Sequence, residues 1–577
     1  MNRTRVVFVT IISLTLLIIL GAVLAQIIGG NESGVEDEAA TPLPPDTVLV
    51  TLASSNTKES WLDQVVAQFN AAGRTTAAGN RIVAEVEHVT SGGSMNAILD
   101  GSLMPVAWSP GDGSWVEQIN QSWQQRTNKP INSQACQPTV YAPLGFALWR
   151  PMAEALGWPD TPIGWDTIVD LAADPDGWAS YGRPEWGQFR FGHTHPAYAN
   201  SGLLSMTAFV HGIVGRQEQL TPAQVYEAED AMRALEQTTS KYGRQAPAML
   251  DLMARQGPSF LHGAAVPEAD TVRFNVERGD ELQFPLAFIF PSGGTIWADH
   301  PYCILDNAEW VSQEQAEAAA IFRDYLLDRD QQELAVDNYL RPLDSTIALH
   351  APMTLENGTD PRVTTETVPA LPSPDADVSA AVIDLFRITK RKATVIIALD
   401  VSGSMEGDKI RSATAATGEF LGRLDPNDEV ALLTFSDGVT LLSEPARVGD
   451  VVEGLAGRVA SLIASGNTAL YDAVCQATTM AAAMKAQDEA AGESRLYGVV
   501  LLSDGEDTVG EPTENQMFVT CLPANAEADG VKIFPVAFGE DASEDVLERI
   551  ATVTGGRMYS ADPASISNVY LSISAEQ

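Results

Sequence analysis

Three apolar runs in the last third of the chain constrain its fold more than any other feature. They are TVIIAL (394–399), VALLTF (430–435) and GVVLLS (498–503). Strands with one face in water alternate apolar and polar residues, whereas strands covered on both faces read as near-continuous apolar runs. Helical spacing precedes the first run in AAVIDLFRITKR and returns around Lys409–Leu424 and from Thr468 onward. A short VTLL strand, then KIFPVAF, the helix SEDVLERIATVTG and a final strand RMYS complete the succession. Strand and helix in alternation predict an α/β fold, here a doubly wound, Rossmann-like sheet.

Ligands of such sheets gather beyond the carboxyl ends of the strands. Asp400, Ser402 and Ser404 follow the first run, Asp504 follows GVVLLS, and Thr468 lies in SGNTALYD at the entry to a helix. Two carboxylates and three hydroxyls make an all-oxygen donor set. It suits Mg2+, or another hard divalent cation such as Mn2+ or Ca2+. An Asp-x-Ser-x-Ser triplet arises by chance at ~10^-4 per position, so its placement after a strand carries more weight than its occurrence. Glu406, Asp408, Glu506 and Asp507 lie nearby in sequence and read as solvated surface acids.

With these motifs, residues 379–577 resemble the von Willebrand factor type A domain and its metal-ion-dependent adhesion site (MIDAS). The resemblance implies that Ser402 and Ser404 ligate the metal directly, and that Thr468 does so when a partner is bound. Asp400 and Asp504 would act directly or through water, leaving one position for a carboxylate of a protein partner. The fourth loop reads SDG where many relatives have Thr-Asp-Gly.

At the other end, Arg3 and Arg5 precede an uncharged apolar stretch from Val6 to Ile28, 23 residues long. About 20 residues span a bilayer, and positive charge ahead of the span predicts an exported remainder. Residues 1–28 are therefore read as a transmembrane helix and membrane anchor. The alternative is a signal segment cleaved near Val23-Leu24-Ala25. Residues 29–46 (GGNESGVEDEAATPLPPD) are a linker, and NGTDPRVTTETVPALPSPDAD (357–377) reads as a second.

Residues 47–356 lie between the two linkers. TVLVTLA is a strand, followed by a helix with Trp61, Val65, Val66 and Phe69 on one face; IVAEVEHV and PVAWSP are further strands. Together with Ser91-Gly92-Gly93-Ser94, THPAYANSGLL and EQAEAAAIFRDYLLDRDQQELAVDNYLRPL, this region resembles bacterial extracellular solute-binding proteins over about Val48–Asp344. That implies two α/β lobes hinged around a ligand cleft, as in periplasmic binding proteins. Candidate cleft residues are Ser54, Ser55, Ser91, Ser94, Ser109, Asn200 and Ser201, which follow strands or open helices. Amides and hydroxyls at helix N-termini suit an oxyanion or a ligand carboxylate, although the same residue types also serve as helix caps. Trp108, Trp115 and Trp123 read as packing. His193-Thr194-His195 lacks a third metal ligand and is set aside.

The net charge of −41 argues against nucleic acid as a partner. Export permits a disulfide between Cys136 and Cys303, whereas a Cys475–Cys521 bond is not expected. No nucleophilic triad, His-rich cluster or phosphate-cradling loop points to an enzyme. The expected function is a membrane-anchored, extracytoplasmic binding protein that holds a protein partner through Mg2+ and a solute in its N-terminal domain. The alternative is the solute-binding receptor of an ABC transport system with an accessory C-terminal domain.

Overall fold

The computed structural model describes residues 44 and 46–573, except 198, 244, 494, 523–529, 540, 541, 543, 564, 567, 568 and 570–572. The apolar stretch 6–28 and most of the first linker lie outside the described residues. Among the described residues no helix is long and apolar enough to cross a membrane.

Three sheets organise the body from Val48 onward. The first has the order β10-β3-β1-β2, built from β1 (Thr47–Ser54), β2 (Arg81–His88), β3 (Ala107–Ser109) and β10 (Cys303–Ile304). The second has the order β11-β4-β7-β5-β6. It comprises β4 (Val140–Trp149), β5 (Phe191–Thr194), β6 (Thr239–Gly243), β7 (Gly263–Pro267) and β11 (Arg341–Pro342). Strands β8 (Leu286–Ile289) and β9 (Trp297–Ala298) also pair with β4. The chain moves to the second sheet after β3, returns for β10 and leaves again for β11. Two α/β lobes joined by several crossings result. Cys136 and Cys303 are bonded, as expected.

The third sheet has the order β14-β13-β12-β15-β16-β17. Its strands are β12 (Lys392–Asp400), β13 (Glu429–Phe435), β14 (Val439–Arg447), β15 (Arg495–Ser503), β16 (Lys532–Phe538) and β17 (Tyr559–Ala561). Every pairing is parallel except β13–β14 at the edge. The period of two explains the apolar runs. Val395, Ile397 and Leu399 enter one core with Phe420 and Leu455, while Ile396 and Ala398 enter the other with Leu470, Val474 and Leu547. Both faces are covered by helices, so neither face of β12 carries a polar stripe.

Two expectations about the boundary between the domains need correction. The stretch 357–377 does not behave as a free linker. Gly358 and Pro369 carbonyls accept from Phe288 and Thr295 amides at 2.7 and 3.0 Å, and the Leu371 amide donates to the Thr295 carbonyl at 2.8 Å. Arg341, buried against Glu268 at 2.6 and 2.8 Å, donates also to the Val363 and Asp360 carbonyls at 2.5 and 3.2 Å. The apolar residues that anchor this stretch, Val368 and Leu371, are isolated in sequence and show no period. Secondly, the helix Ala376–Thr389 was expected at the start of the C-terminal domain. Its Val378, Ala381, Val382 and Leu385 instead join the core of the second lobe.

Cys475 and Cys521 are also bonded, contrary to expectation. The helix Leu470–Ala491 runs beside the turn Met517–Cys521. A pairing 46 residues apart is set by that packing, which local sequence does not encode.

Phe386 is 2 % exposed and packs edge-on against His193, His195 and Tyr242 at centroid distances of 5.6, 4.8 and 5.3 Å. Phe386→Ala is expected to cost about 3–5 kcal/mol. Limited proteolysis should then cut first between the second lobe and β12, while Ile388→Ala, at an exposed position, leaves the pattern unchanged.

Candidate functional site

Two sites emerge, one at the strand ends of the third sheet and one between the first two sheets.

At the first, Asp400 closes β12 and its carboxylate spans two strands. Oδ1 accepts from the Ser402 amide at 2.8 Å and Oδ2 from Ser503 Oγ, at the end of β15, at 2.7 Å. Ser402 Oγ and Ser404 Oγ lie 2.9 Å apart, and Ser404 Oγ donates to Asp504 Oδ1 at 2.7 Å. Thr468 is carried in by backbone pairing. Its amide donates to Thr508 Oγ1 at 2.8 Å and its carbonyl accepts from the Thr508 amide at 2.9 Å. The Gly403 amide donates to the Gly466 carbonyl at 3.0 Å, docking the serine turn on the Thr468 loop. A Cβ on Gly403 would stand 3.3 Å from that carbonyl, so a larger residue would push the two loops apart.

All five expected residues thus come from three neighbouring loops. Asp400, Ser402, Thr468 and Asp504 are buried, while Ser404 is exposed and marks the open side. Burial raises the Asp400 carboxyl to about 6 against hydrogen bonds from Ser402 and Ser503, and the Asp504 charge adds to the rise. Two buried carboxylates sharing a serine pair repel each other, and a cation among these oxygens would relieve that repulsion. The donor set therefore fits a hard divalent ion, which Ser402, Ser404, Asp400 and Asp504 would hold together with Thr468 from the adjoining loop.

The sequence reading missed Ser503, which orients Asp400, and Lys409, whose Nζ donates to Asp504 Oδ2 at 2.6 Å. Glu406, Asp408 and Glu506 are exposed, as expected. Asp507 is not a free surface acid: it accepts from the Tyr471 and Gly510 amides at 3.1 and 2.6 Å and so caps the helix that follows Thr468.

The second site is a cavity of about 320 Å³ lined by Ser55, Ser91, Asn200, Ser201, Gln245 and Arg273, among others. Five helices begin at its wall: Glu59–Ala72, Ser91–Asp100, Asn200–Val214, Ala246–Gln256 and Glu268–Arg278. First-turn amides have no partner within their own helix, so this wall is rich in donors. Arg273 donates to the buried Asp270 at 2.6 Å, and both line the cavity.

Four of the seven expected cleft residues, Ser55, Ser91, Asn200 and Ser201, reach this wall. Ser54, Ser94 and Ser109 do not. Ser94 Oγ donates to the Thr90 and Ser91 carbonyls and accepts from Trp108 Nε1 at 2.9 Å. Ser54 donates to its neighbour's carbonyl, and Ser109 to that of His300. Their hydroxyls are spent on backbone, a distinction that loop position alone does not reveal. Trp115 Nε1 donates to Asn200 Oδ1 at 2.6 Å, and Trp123 packs edge-on to Trp310, so the tryptophans do act as packing.

Behind Ser55 lies a buried group that the sequence did not disclose. Lys58 Nζ donates to Ser55 Oγ and the Ser109 carbonyl, both at 2.9 Å, and sits 3.3 Å from His300 Nδ1. Burial holds Lys58 well below the usual lysine range, while Asp299 opposes that shift. Burial and the nearby Asp112 charge push Asp299 up to about 7.

His193 and His195 have structural partners. His193 Nε2 lies 2.9 Å from Glu236 Oε1, and Tyr242 donates to Glu236 Oε2 at 2.6 Å, all fully buried. Burial lowers the His193 pKa, but the Glu236 charge and hydrogen bonds outweigh it and the net shift is upward.

Residues 394–570 match the von Willebrand factor type A domain model. The C-terminal part of the chain is therefore a von Willebrand factor type A domain. Among curated proteins, inter-alpha-trypsin inhibitor heavy chain H4 of Bos taurus is 32% identical over 165 residues, which are 28% of this chain and 18% of that protein. The matched segment thus spans less than a fifth of this relative's length. A von Willebrand factor type A structure from Catenulispora acidiphila is similar at 20% identity, TM-score 0.29, covering 32% of this chain and 42% of that one. The sulfate-binding protein SubI from Mycobacterium tuberculosis H37Rv is similar at 13% identity, TM-score 0.36, covering 52% and 88%.

The His193–Glu236 pair predicts a pH dependence of stability. A folded-state pKa above the unfolded value of about 6.5 contributes stability that is full below 6.5 and is lost as pH rises through the folded value. In wild type this component should decline on raising the pH above about 6.5. In Glu236→Gln the decline should vanish in denaturant titrations between about pH 6 and 9.

Proposed function

We propose that the chain is a membrane-anchored, extracytoplasmic binding protein whose C-terminal domain holds a protein partner through Mg2+. The observation that carries this reading is the convergence of Asp400, Ser402, Ser404, Thr468 and Asp504 from three loops, with Ser404 on the open side. Two of the five donors are carboxylates and three are neutral hydroxyls. A divalent cation held so sparingly supplies an electrophile for a carboxylate from outside. The site is proposed to retain a partner without turning it over.

In the N-terminal lobes we propose capture of a small anion. The support is the wall of five helix starts, with Arg273 as its guanidinium. A second reading, the receptor of an ABC transport system, draws on the same cavity. It differs in requiring a ligand-dependent complex with a permease.

On the full chain, calorimetric titration with Mg2+ should show binding that Asp400→Ala with Ser402→Ala weakens by more than about tenfold, with the circular dichroism spectrum unchanged. Equal binding by the double variant would exclude this site. For the cavity, a thermal-shift series of sulfate, phosphate, dicarboxylates, amino acids and sugars should stabilise with the anions, by about 2.7 kcal/mol at a hundredfold excess over Kd. Arg273→Ala should reduce that shift and Ser54→Ala should not. A response confined to neutral sugars would overturn the anion assignment.

A further inference from the structure

Lys409 adds a positive charge to a site whose other members are oxygens. It stands in the first turn of the helix Asp408–Leu421, and its Nζ donates to Asp504 Oδ2 at 2.6 Å. The Asp504 side chain is 0% exposed and that of Lys409 26%. The other Asp504 oxygen accepts from Ser404, so the carboxylate is held between a proposed ligand and a lysine. The fold leaves room for this reach. Gly539, just beyond β16, has φ +92, and a Cβ there would come within 3.3 Å of Lys409 Cε and 3.5 Å of Nζ. Among the described residues no cation is paired with Asp400, whose oxygens accept from the Ser402 amide and Ser503 Oγ.

Resting on the metal-dependent reading above, we propose that Lys409 is a positioning residue that trades cation affinity for carboxylate affinity. Two carboxylates balance one divalent cation and leave a neutral centre. The Lys409 ammonium makes that centre positive by one charge. A cation beside Asp504 weakens the pull of that carboxylate on a second cation, and the same surplus charge draws an incoming anion. The two effects have opposite signs, so they can be separated. Partial exposure of the lysine screens both, to on the order of tenfold each.

The test uses the full chain with Lys409→Met, Lys409→Gln and Lys409→Arg. Mn2+ affinity is read from the electron paramagnetic resonance of the free ion. Acetate affinity of the Mn2+-loaded protein is read from water-proton relaxation. Lys409→Met should bind Mn2+ about tenfold tighter and acetate about tenfold more weakly, while Lys409→Arg stays within about twofold of wild type on both. Lys409→Gln provides the neutral side chain should the methionine variant fail to fold. Unchanged or weaker Mn2+ binding in the neutral variant, or an arginine variant that behaves like it, overturns the role of the charge. Failure of wild type to bind Mn2+ would instead overturn the metal reading itself.

Discussion

Strand β12 is covered on both faces, and the rest of the C-terminal domain depends on that burial. Val395, Ile397 and Leu399 fill one helical layer and Ile396 and Ala398 the other, so the strand admits no register slip. Its last residue, Asp400, is then delivered to one place at the sheet edge. There it meets Ser503 from the neighbouring parallel strand, and the serine turn docks on Gly466. A register error of one residue would exchange the two cores and carry Asp400 away from Ser503.

Residues 357–371 are tied to the second lobe by polar contacts as well as by packing. Arg341 and Glu268 form a buried bidentate pair that also holds the carbonyls of Val363 and Asp360. A buried pair of this kind stabilises little by itself, but its many partners specify how residues 357–371 lie. The helix Ala376–Thr389 then closes the second lobe, and its Phe386 covers His193, His195 and Tyr242. From there three basic residues, Lys390 to Lys392, lead into β12. Only Arg387 to Lys392 therefore separate Phe386 from the start of the next core at Ala393.

The same β5 that carries His193 ends at Thr194, whose hydroxyl lies 2.7 Å from that of Ser201 in the cavity wall. Between them, Ala199 lines the cleft and His195 packs against Phe386. Cleft and junction thus share one short segment, which is a consequence of placing a helix start directly after a buried strand.

Much of this was legible in the sequence, because periodicity and strand-end position are local properties. The apolar run of β12 announces its strand, and the Asp-x-Ser-x-Ser turn, Thr468 and Asp504 each announce their own loop. Helix starts at Ser91 and Asn200 are likewise marked by polar residues in their first turns. What only the tertiary structure decided were the pairings between distant elements. Ser54 and Ser55 are neighbours, yet one hydroxyl is spent on a backbone carbonyl and the other meets Lys58, with Ser55 in the cavity wall. Cys475 and Cys521 form a bond because a helix and a turn pack together. Lys58 and Lys409 gained their roles from partners 51 and 95 residues away. The sequence determined which side chains sit at the ends of elements, since that follows from hydrogen-bonding period. Which of those ends meet is settled by packing free energy summed over the whole core, and no local pattern contains it.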